Sequence, residues 1–328
     1  MRLRPRIRLH ILTGFLGSGK STLLRRCLRD HKDRERIGVL INEYGVVAID
    51  HTLVRGVSPH ARAIAGGCAC CSADPALRKT LIEILAEREL QPDSALTDIV
   101  LETSGVADPA RIIGTIRDDM NLAEYVEVAS CITTIEACAD PELVARFPEA
   151  RNQIACADWL VLTKADLADT SAAEQTATRL REINPLARIV TAGEFELNTP
   201  IDRVGSTIPM IHVPAPARHS PALTSFHIDA HPGLQWPAFS VWLTAVMHRH
   251  GDAILRFKGV IPLERADRAL VLQSVRHRVS PPEHLDLTPL QQTDFGLVFI
   301  CDGVTESKVR ESLTNFAELI RSDRYALS

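Results

Sequence analysis

The segment 14–21, Gly-Phe-Leu-Gly-Ser-Gly-Lys-Ser, has the spacing G-x-x-x-x-G-K-[ST]. An apolar run precedes it and a segment of helical period follows it, which is the context of a phosphate-binding loop. Glycines let main-chain N–H groups surround a phosphate, and the helix N-terminus adds partial positive charge. Lys20 is suited to neutralise the β- and γ-phosphates of a nucleotide, and the Ser21 hydroxyl to hold Mg²⁺. The residues predicted to bind the nucleotide here are Gly14, Gly17, Ser18, Gly19, Lys20, Ser21 and Thr22. A glycine-rich turn without a ligand is the alternative.

A second candidate loop follows the apolar segment 97–102 and reads Glu-Thr-Ser-Gly-Val-Ala-Asp-Pro from Glu102. Parallel α/β sheets bind ligands at the carboxyl ends of their strands. Glu102 is therefore placed to approach Mg²⁺ or the attacking water, and the Gly105 N–H to reach the γ-phosphate. Lys20 and Glu102 are the predicted catalytic residues. Asp108 precedes a proline and has a structural explanation as the residue that begins a helix.

A third candidate loop, Thr163-Lys164-Ala-Asp166, follows the apolar segment 158–163. An aspartate can accept hydrogen bonds from both the ring N–H and the exocyclic amine of guanine, which adenine does not offer. The aliphatic stem of Lys164 can lie across the ring. Thr163, Lys164 and Asp166 are therefore predicted to recognise guanine, with an ordinary strand-to-helix turn as the alternative.

Three cysteines, Cys68, Cys70 and Cys71, follow two glycines between the first two loops. Their spacing differs from the C-x₂-C pairs of closed structural zinc sites. Three thiolates leave one position of a tetrahedral shell open, which suits a metal ion that must later leave. The interpretation is a transient site for a thiophilic divalent metal. A redox switch and buried, inert cysteines remain as alternatives.

Composition excludes several classes of protein. Lys plus Arg number 37 against 41 Asp plus Glu, so the net charge of −4 gives no broad attraction for nucleic acid or anionic membranes. No stretch approaches the roughly 20 apolar residues of a membrane span. The first residues are basic and then briefly apolar, like a secretory signal, but Thr13 and Gly14 interrupt the apolar run. Glycine-rich sequence follows where a signal would have its cleavage site. We expect a cytoplasmic protein that binds neither nucleic acid nor membrane.

Apolar runs alternate with segments of helical period through the first two-thirds of the chain, which indicates a mostly parallel sheet covered by helices on both faces. The predicted strands are 8–13, 37–42, 97–102, 127–135 and 158–163, and the predicted helices are 21–31, 74–89, 109–117, 141–156 and 171–183.

A second, smaller domain is predicted beyond a proline-rich linker. After the linker, the pattern β-α-β-β-β-α indicates an α+β domain with a mostly antiparallel sheet, whose strands include 254–261, 269–279 and 296–301, with a closing helix at 306–321. The predicted organisation is an α/β phosphate-loop domain at 1–207, a linker at 208–223 and the α+β domain at 224–328.

The ordered set GFLGSGKST, NEYG, GGCACC, ETSGVADP and TKAD resembles the CobW-type P-loop GTPases of the CobW/HypB/UreG group, relatives of the hydrogenase and urease nickel-insertion GTPases. The segment ILRFKG at 254–259 resembles their C-terminal domain, so the resemblance covers nearly the whole chain. It implies a GTPase that uses GTP and Mg²⁺ to deliver or insert a divalent metal, usually zinc or cobalt, into a client protein or cofactor. It assigns Asn42, Glu43 and Asp50 to a nucleotide-sensing loop and GGCACC to the metal motif. We expect the segment Asn42–Asp50 near the γ-phosphate, with Glu43 a candidate fourth metal ligand. It also allows a nucleotide-dependent homodimer.

Departures from the family pattern keep alternatives open. Val46 stands where many relatives have a carboxylate, Thr163 stands where many GTPases have asparagine, and the histidines from His212 to His284 are dispersed where relatives have a dense run. Besides the metallochaperone, the alternatives are a GTP-controlled regulator or metal reservoir without delivery, and an ATP-dependent small-molecule kinase.

Overall fold

The computed structural model contains two compact units, Met1–Leu180 with Ala187–Ile201, and Arg181–Leu186 with Asp202–Ser328. The first is built on a parallel sheet and the second on an antiparallel sheet, which confirms the predicted fold class. The structure describes residues 5–42, 61–64, 75–90, 96–140, 146–197, 223–229, 236–263, 268–286 and 295–326.

The first unit contains a seven-stranded sheet of order β3-β2-β4-β1-β5-β6-β7 in which every paired strand is parallel. Every residue of β2, β4 and β6 is buried, as expected for strands whose two faces are both covered. The strands are β1 (Ile7–Gly14), β2 (Ile37–Ile41), β3 (Ala61–Ala63), β4 (Asp98–Glu102), β5 (Val126–Glu136), β6 (Trp159–Thr163) and β7 (Arg188–Thr191).

Helices follow most of these strands. The helix that follows β1 buries the four residues that the sequence pattern placed on one face, Leu23, Leu24, Cys27 and Leu28. The helices of this unit are α1 (Lys20–Asp30), α2 (Pro75–Leu90), α3 (Pro109–Asp118), α4 (Met120–Tyr125) and α5 (Pro148–Cys156), together with α6 (Thr170–Ile183) as far as Leu180.

Some elements of the first unit differ from the prediction. The short strands β3 and β7 and the short helix α4 were not predicted. In the predicted helix 141–156, residues 141–145 lie outside the described ranges and α5 begins only at Pro148. Phe147 is extended, with φ −88° and ψ 124°, because a residue that precedes proline is disfavoured in the helical region. The helix therefore starts where proline is best tolerated, at its first position.

The second unit has a six-stranded antiparallel sheet of order β11-β10-β9-β13-β8, with β12 paired to β10. Its core is formed by residues of two helices and of the sheet. It includes Trp242 from a helix and Phe257 and Phe299 from strands. The elements are β8 (Leu223–Asp229), α7 (Trp236–His250), β9 (Ile254–Pro262), β10 (Arg268–Val275), β11 (Arg278–Val279), β12 (Glu283–Asp286), β13 (Gly296–Asp302) and α8 (Glu306–Ala326).

The prediction of a single strand at 269–279 is wrong. These residues form a hairpin, in which the chain turns at Arg276 and His277 and Val275 pairs with Arg278. Arg276 has φ 50°, in the left-handed region that hairpin turns usually fill with glycine or asparagine. The absence of such a residue hid the turn, and β12 was missed as well.

The proposed linker 208–223 lies almost wholly outside the described residues, so the predicted domain boundaries stay predictions. No helix in the described ranges is long and apolar enough to cross a membrane.

Candidate nucleotide-binding site

The glycine-rich loop connects β1 to α1 at the carboxyl edge of the parallel sheet. Gly14 has φ 142°, and a Cβ there would lie 2.6 Å from the Thr134 main-chain oxygen, so a side chain at this position is excluded. Gly19, which precedes α1, has φ 88° and occupies the left-handed region. The conformation of the loop thus depends on glycine at both of its ends, as expected for a loop whose main chain lies close to a ligand.

Lys20 and Ser21 begin α1 beside Glu102. The Lys20 ammonium donates hydrogen bonds to the carbonyls of Gly14 (2.8 Å) and Phe15 (3.2 Å). The Ser21 hydroxyl donates to Glu102 Oε1 at 2.5 Å. A hydroxyl and a carboxylate are the hard oxygen donors that Mg²⁺ prefers, so this pair fits the predicted magnesium site.

Asn42 follows β2 and lies next to this pair. Its main-chain N–H donates to the Glu102 carbonyl at 2.9 Å. Its side chain is 3% exposed, and within the described residues Nδ2 is a buried donor without a hydrogen-bond partner. Because unpartnered buried donors are uncommon, this amide is a candidate contact for a ligand.

The loop after β4 packs directly on the glycine-rich loop. A Cβ at Gly105 would lie 2.8 Å from the main-chain nitrogen of Leu16, so only glycine allows this approach. Gln153 of α5 donates hydrogen bonds to the carbonyls of Gly105 and Ala107, both at 3.0 Å. Asp108 accepts from the Ala110 N–H at 3.0 Å and caps α3, as in the structural explanation.

The third loop also touches the glycine-rich loop. The Thr163 hydroxyl donates to the Ser18 carbonyl at 2.7 Å. Lys164 has φ 54°, and its ammonium forms an ion pair with Glu136 Oε1 at 2.5 Å. Asp166 is exposed in the short 3₁₀ turn Ala165–Leu167. The structure thus brings the first and third predicted loops together through Thr163, and leaves the Asp166 carboxyl accessible.

The predicted metal ligands Glu43, Cys68, Cys70 and Cys71 lie outside the described residues, as does Asp50. In the part of the chain that the structure describes, no group of three or more His, Cys, Asp or Glu side chains is placed to hold a metal ion. The metal assignment therefore stays a prediction.

Two side chains at this site were not predicted. Glu136 ends β5, one residue beyond the predicted strand, and its position at a strand's carboxyl end was the signal that could have found it. Gln153 lies within a helix, 1% exposed, and nothing in the local sequence distinguishes it from other polar residues of that helix.

Two family models match this chain. The family model of the CobW/HypB/UreG nucleotide-binding domain matches residues 8–191. The family model of the C-terminal domain of the cobalamin synthesis protein cobW matches residues 223–317. The zinc chaperone YjiA of Escherichia coli is 29% identical over 284 residues, covering 82% of this chain and 86% of the relative.

The zinc chaperone CobW of Pseudomonas aeruginosa is 27% identical over 320 residues, covering 85% and 83%. Among solved structures, the Zn(II)-bound YjiA GTPase from E. coli superposes with a TM-score of 0.73 at 23% identity, covering 95% of this chain and 99% of that one. This likeness supports the two-domain fold.

Proposed function

Because this chain belongs to the CobW/HypB/UreG family of P-loop GTPases, we propose that it couples GTP hydrolysis to the delivery of a divalent metal ion. Zinc is the first candidate for the metal, since the relatives YjiA and CobW described above are named zinc chaperones, and cobalt is the second. The recipient is a client metalloprotein or a metal-inserting complex. The metal is cargo in this proposal, and Cys68, Cys70 and Cys71 are its proposed ligands, with Glu43 as a fourth.

The contact between Ser21 and Glu102 carries the nucleotide part of the proposal. Their oxygens, 2.5 Å apart beside the glycine-rich loop, offer a hydroxyl and a carboxylate for Mg²⁺. When bound, Mg²⁺ would neutralise charge on the β- and γ-phosphate oxygens. Lys20 exchanges its main-chain carbonyl acceptors for phosphate oxygens, and Glu102 orients the attacking water or the metal.

Guanine recognition is assigned to the third loop. The exposed Asp166 carboxylate accepts from the two N–H groups of guanine's Watson–Crick edge, and the Lys164 stem covers the ring. Thr163 holds this loop to the glycine-rich loop through the Ser18 carbonyl. Base and phosphate sites are therefore joined by a direct hydrogen bond between their loops.

The position of the cysteines along the chain supports the coupling to metal. Cys71 lies four residues before α2, and α2 leads into β4, which ends at Glu102. In sequence, the cysteine loop therefore precedes this helix–strand unit and the γ-phosphate loop follows it. If GTP orders both loops, metal affinity rises with GTP and falls after hydrolysis, and metal tightens GTP binding by the same factor.

The test is a titration with Zn²⁺ and with Co²⁺ in the presence of GDP or a non-hydrolysable GTP analogue. We expect the wild type to bind metal more tightly with the GTP analogue, by roughly 5–150-fold, the usual range of such coupling. Changing Cys68, Cys70 and Cys71 together to Ser should remove this site. The matched control is Cys138→Ser, which alters an exposed free thiol outside the cysteine loop and should change nothing.

Equal affinities in both nucleotide states would contradict delivery and favour a metal reservoir. Binding retained by the triple variant would place the metal site elsewhere. A transfer assay to an apo-metalloprotein client, with wild type and the hydrolysis-deficient Lys20→Ala variant, then separates delivery from storage.

A further inference from the structure

The Gln153 side chain binds two main-chain carbonyls of the loop that follows β4. Its Nε2 atom lies 3.0 Å from the Gly105 oxygen and 3.0 Å from the Ala107 oxygen. An amide NH₂ group has two hydrogens, so the two carbonyls use its full donor capacity. The side chain is 1% exposed, and water therefore does not compete for these hydrogen bonds.

The helix that carries Gln153 is itself fixed to the sheet. The Thr133 hydroxyl of β5 donates to the Gln153 main-chain carbonyl at 2.8 Å. One residue after Gln153, Ile154 is buried in the core. The side-chain amide is thus presented from a rigid element, and the loop between Gly105 and Ala107 takes its position from that element.

The other side of this loop is bounded by the glycine-rich loop. A Cβ at Gly105 would come within 2.8 Å of the Leu16 main-chain nitrogen. Gly105 is therefore held between Leu16 on one side and Gln153 on the other, with little room to move. A main-chain N–H that must meet a γ-phosphate needs this kind of fixed position, because preorganised donors stabilise developing charge without a cost of reorganisation.

From these contacts we infer that Gln153 is a positioning residue that holds the Gly105 main chain for the γ-phosphate and so sets the discrimination between GTP and GDP. The inference rests on the proposed function and adds to it the side chain on which nucleotide sensing depends. GDP lacks the γ-phosphate, so its binding by the glycine-rich loop and the base loop does not involve Gly105. Loss of the Gln153 amide should therefore weaken GTP binding and leave GDP binding nearly unchanged.

The experiment compares wild type with Gln153→Glu and Gln153→Met. Glutamate has the same shape but replaces the donor by an oxygen that faces two carbonyls, and methionine has similar length without a donor. The matched control is Asn152→Ala on the same helix, because Asn152 Nδ2 contacts the same loop at Asp108 Oδ2 (3.2 Å) and not at Gly105. Each variant is measured for GDP affinity, for affinity to a non-hydrolysable GTP analogue, for kcat and KM, and for thermal unfolding.

We expect both Gln153 variants to lose about tenfold in affinity for the GTP analogue relative to GDP, the scale of one or two hydrogen bonds. The GDP affinity should stay within about twofold of wild type, and kcat should fall while Asn152→Ala keeps the wild-type preference. If one variant does not fold, the other carries the test.

An unchanged ratio of GTP to GDP affinity in a folded variant would overturn the inference, as would an equal loss for both nucleotides. If the wild type hydrolyses GTP and the variants keep the wild-type ratio of GTP to GDP affinity, the proposed function stands and only the role of Gln153 is removed. A wild type that neither binds nor hydrolyses GTP would remove both.

Discussion

The strands β1, β4 and β5 carry a polar cluster at each end, and the two clusters differ in how their groups are satisfied. Toward the amino ends, His10 Nε2 lies 3.0 Å from Asp98 Oδ1 and His10 Nδ1 lies 2.8 Å from the Ser130 hydroxyl. Arg8 and Thr97 donate to the other Asp98 oxygen at 2.9 and 2.7 Å. With Nε2 as the donor to Asp98 and Nδ1 facing the Ser130 hydroxyl, both ring nitrogens of His10 have a partner, so the hydrogen bonds of this cluster are met within it.

At the carboxyl ends of the same strands, the charged groups form hydrogen bonds to partners that a ligand can replace. Lys20 donates to two carbonyls of its own loop, and Ser21 donates to Glu102. Phosphate oxygens are stronger acceptors for an ammonium than main-chain carbonyls, because they carry a negative charge that attracts the ammonium, whereas a carbonyl carries only a dipole. The amino-end cluster is therefore expected to contribute to stability and the carboxyl-end cluster to binding.

The largest expected effect is that of Lys20→Ala on GTP hydrolysis. Removing the ammonium from the transferred phosphate should lower kcat by about 10²–10³-fold, the scale of losing one preorganised charge-stabilising donor. The melting temperature should change little, because the lost hydrogen bonds lie in a partly exposed loop. Phosphate release and thermal unfolding measure the two quantities. Lys79→Ala, which removes an exposed lysine of α2, is the control; a collapsed melting transition in Lys20→Ala would contradict the comparison.

The opposite pattern is expected for Asp98→Ala. Removing one partner from a buried hydrogen-bonded charge cluster destabilises by about 3 kcal/mol, since His10 and Arg8 lose their acceptor. The affinity of the folded variant for GDP should equal that of wild type. Denaturant unfolding and nucleotide titration check both statements. A loss of affinity without loss of stability would show that the amino-end cluster belongs to the binding site.

Stability should also fall in acid because of Asp98. Burial alone would raise the pKa of its carboxyl, but hydrogen bonds from His10, Arg8 and Thr97 outweigh burial and lower the pKa to about 2. The ordinary value is about 3.9. The folded state thus binds this proton less tightly than the unfolded state, and the carboxylate contributes about 2–3 kcal/mol of stability above pH ~4 that is lost as the pH falls toward ~2. Unfolding of wild type and Asp98→Asn from pH 2 to 6 tests this; parallel curves would contradict it.

The two clusters also show what the sequence could predict. The glycine-rich loop, its flanking elements and the family were predictable because their signals are local: apolar strands, helical period and glycine spacing. The His10 network was not predictable, because it joins residues 88 and 120 positions apart and each is an ordinary strand residue in its own segment. The contacts of Gln153 were not predictable for the same reason. The roles of the predicted site residues stay predictions.

A smaller effect is expected for Asp166→Asn. The asparagine amide presents a donor toward the guanine N1–H, while xanthine offers a carbonyl in place of the exocyclic amine. The preference for GTP over XTP should fall by about 30-fold, the scale of one charged hydrogen bond. Competition of GTP, XTP and ATP measures this preference. Stability should be unchanged because Asp166 is exposed, and an unchanged GTP preference would mean that the base is read elsewhere.

The smallest expected effect comes from Glu136→Gln, which breaks the ion pair with Lys164. Both side chains are about one-third exposed, so the pair is worth up to about 1 kcal/mol. The variant has two opposing consequences. The released Lys164 charge attracts the phosphates of any nucleotide, whereas the loosened Lys164 stem covers guanine less well.

The ratio of GDP to ADP affinity separates these consequences, because both nucleotides carry the same phosphates and the electrostatic change cancels. We expect this ratio to fall by about threefold to fivefold, even if GDP itself binds as tightly as before. The control is Glu83→Gln, which removes the carboxylate of an exposed Lys–Glu pair on α2. A ratio equal to that of wild type would show that Glu136 acts on the charge near the phosphates alone, and that base recognition does not depend on where the Lys164 stem is held.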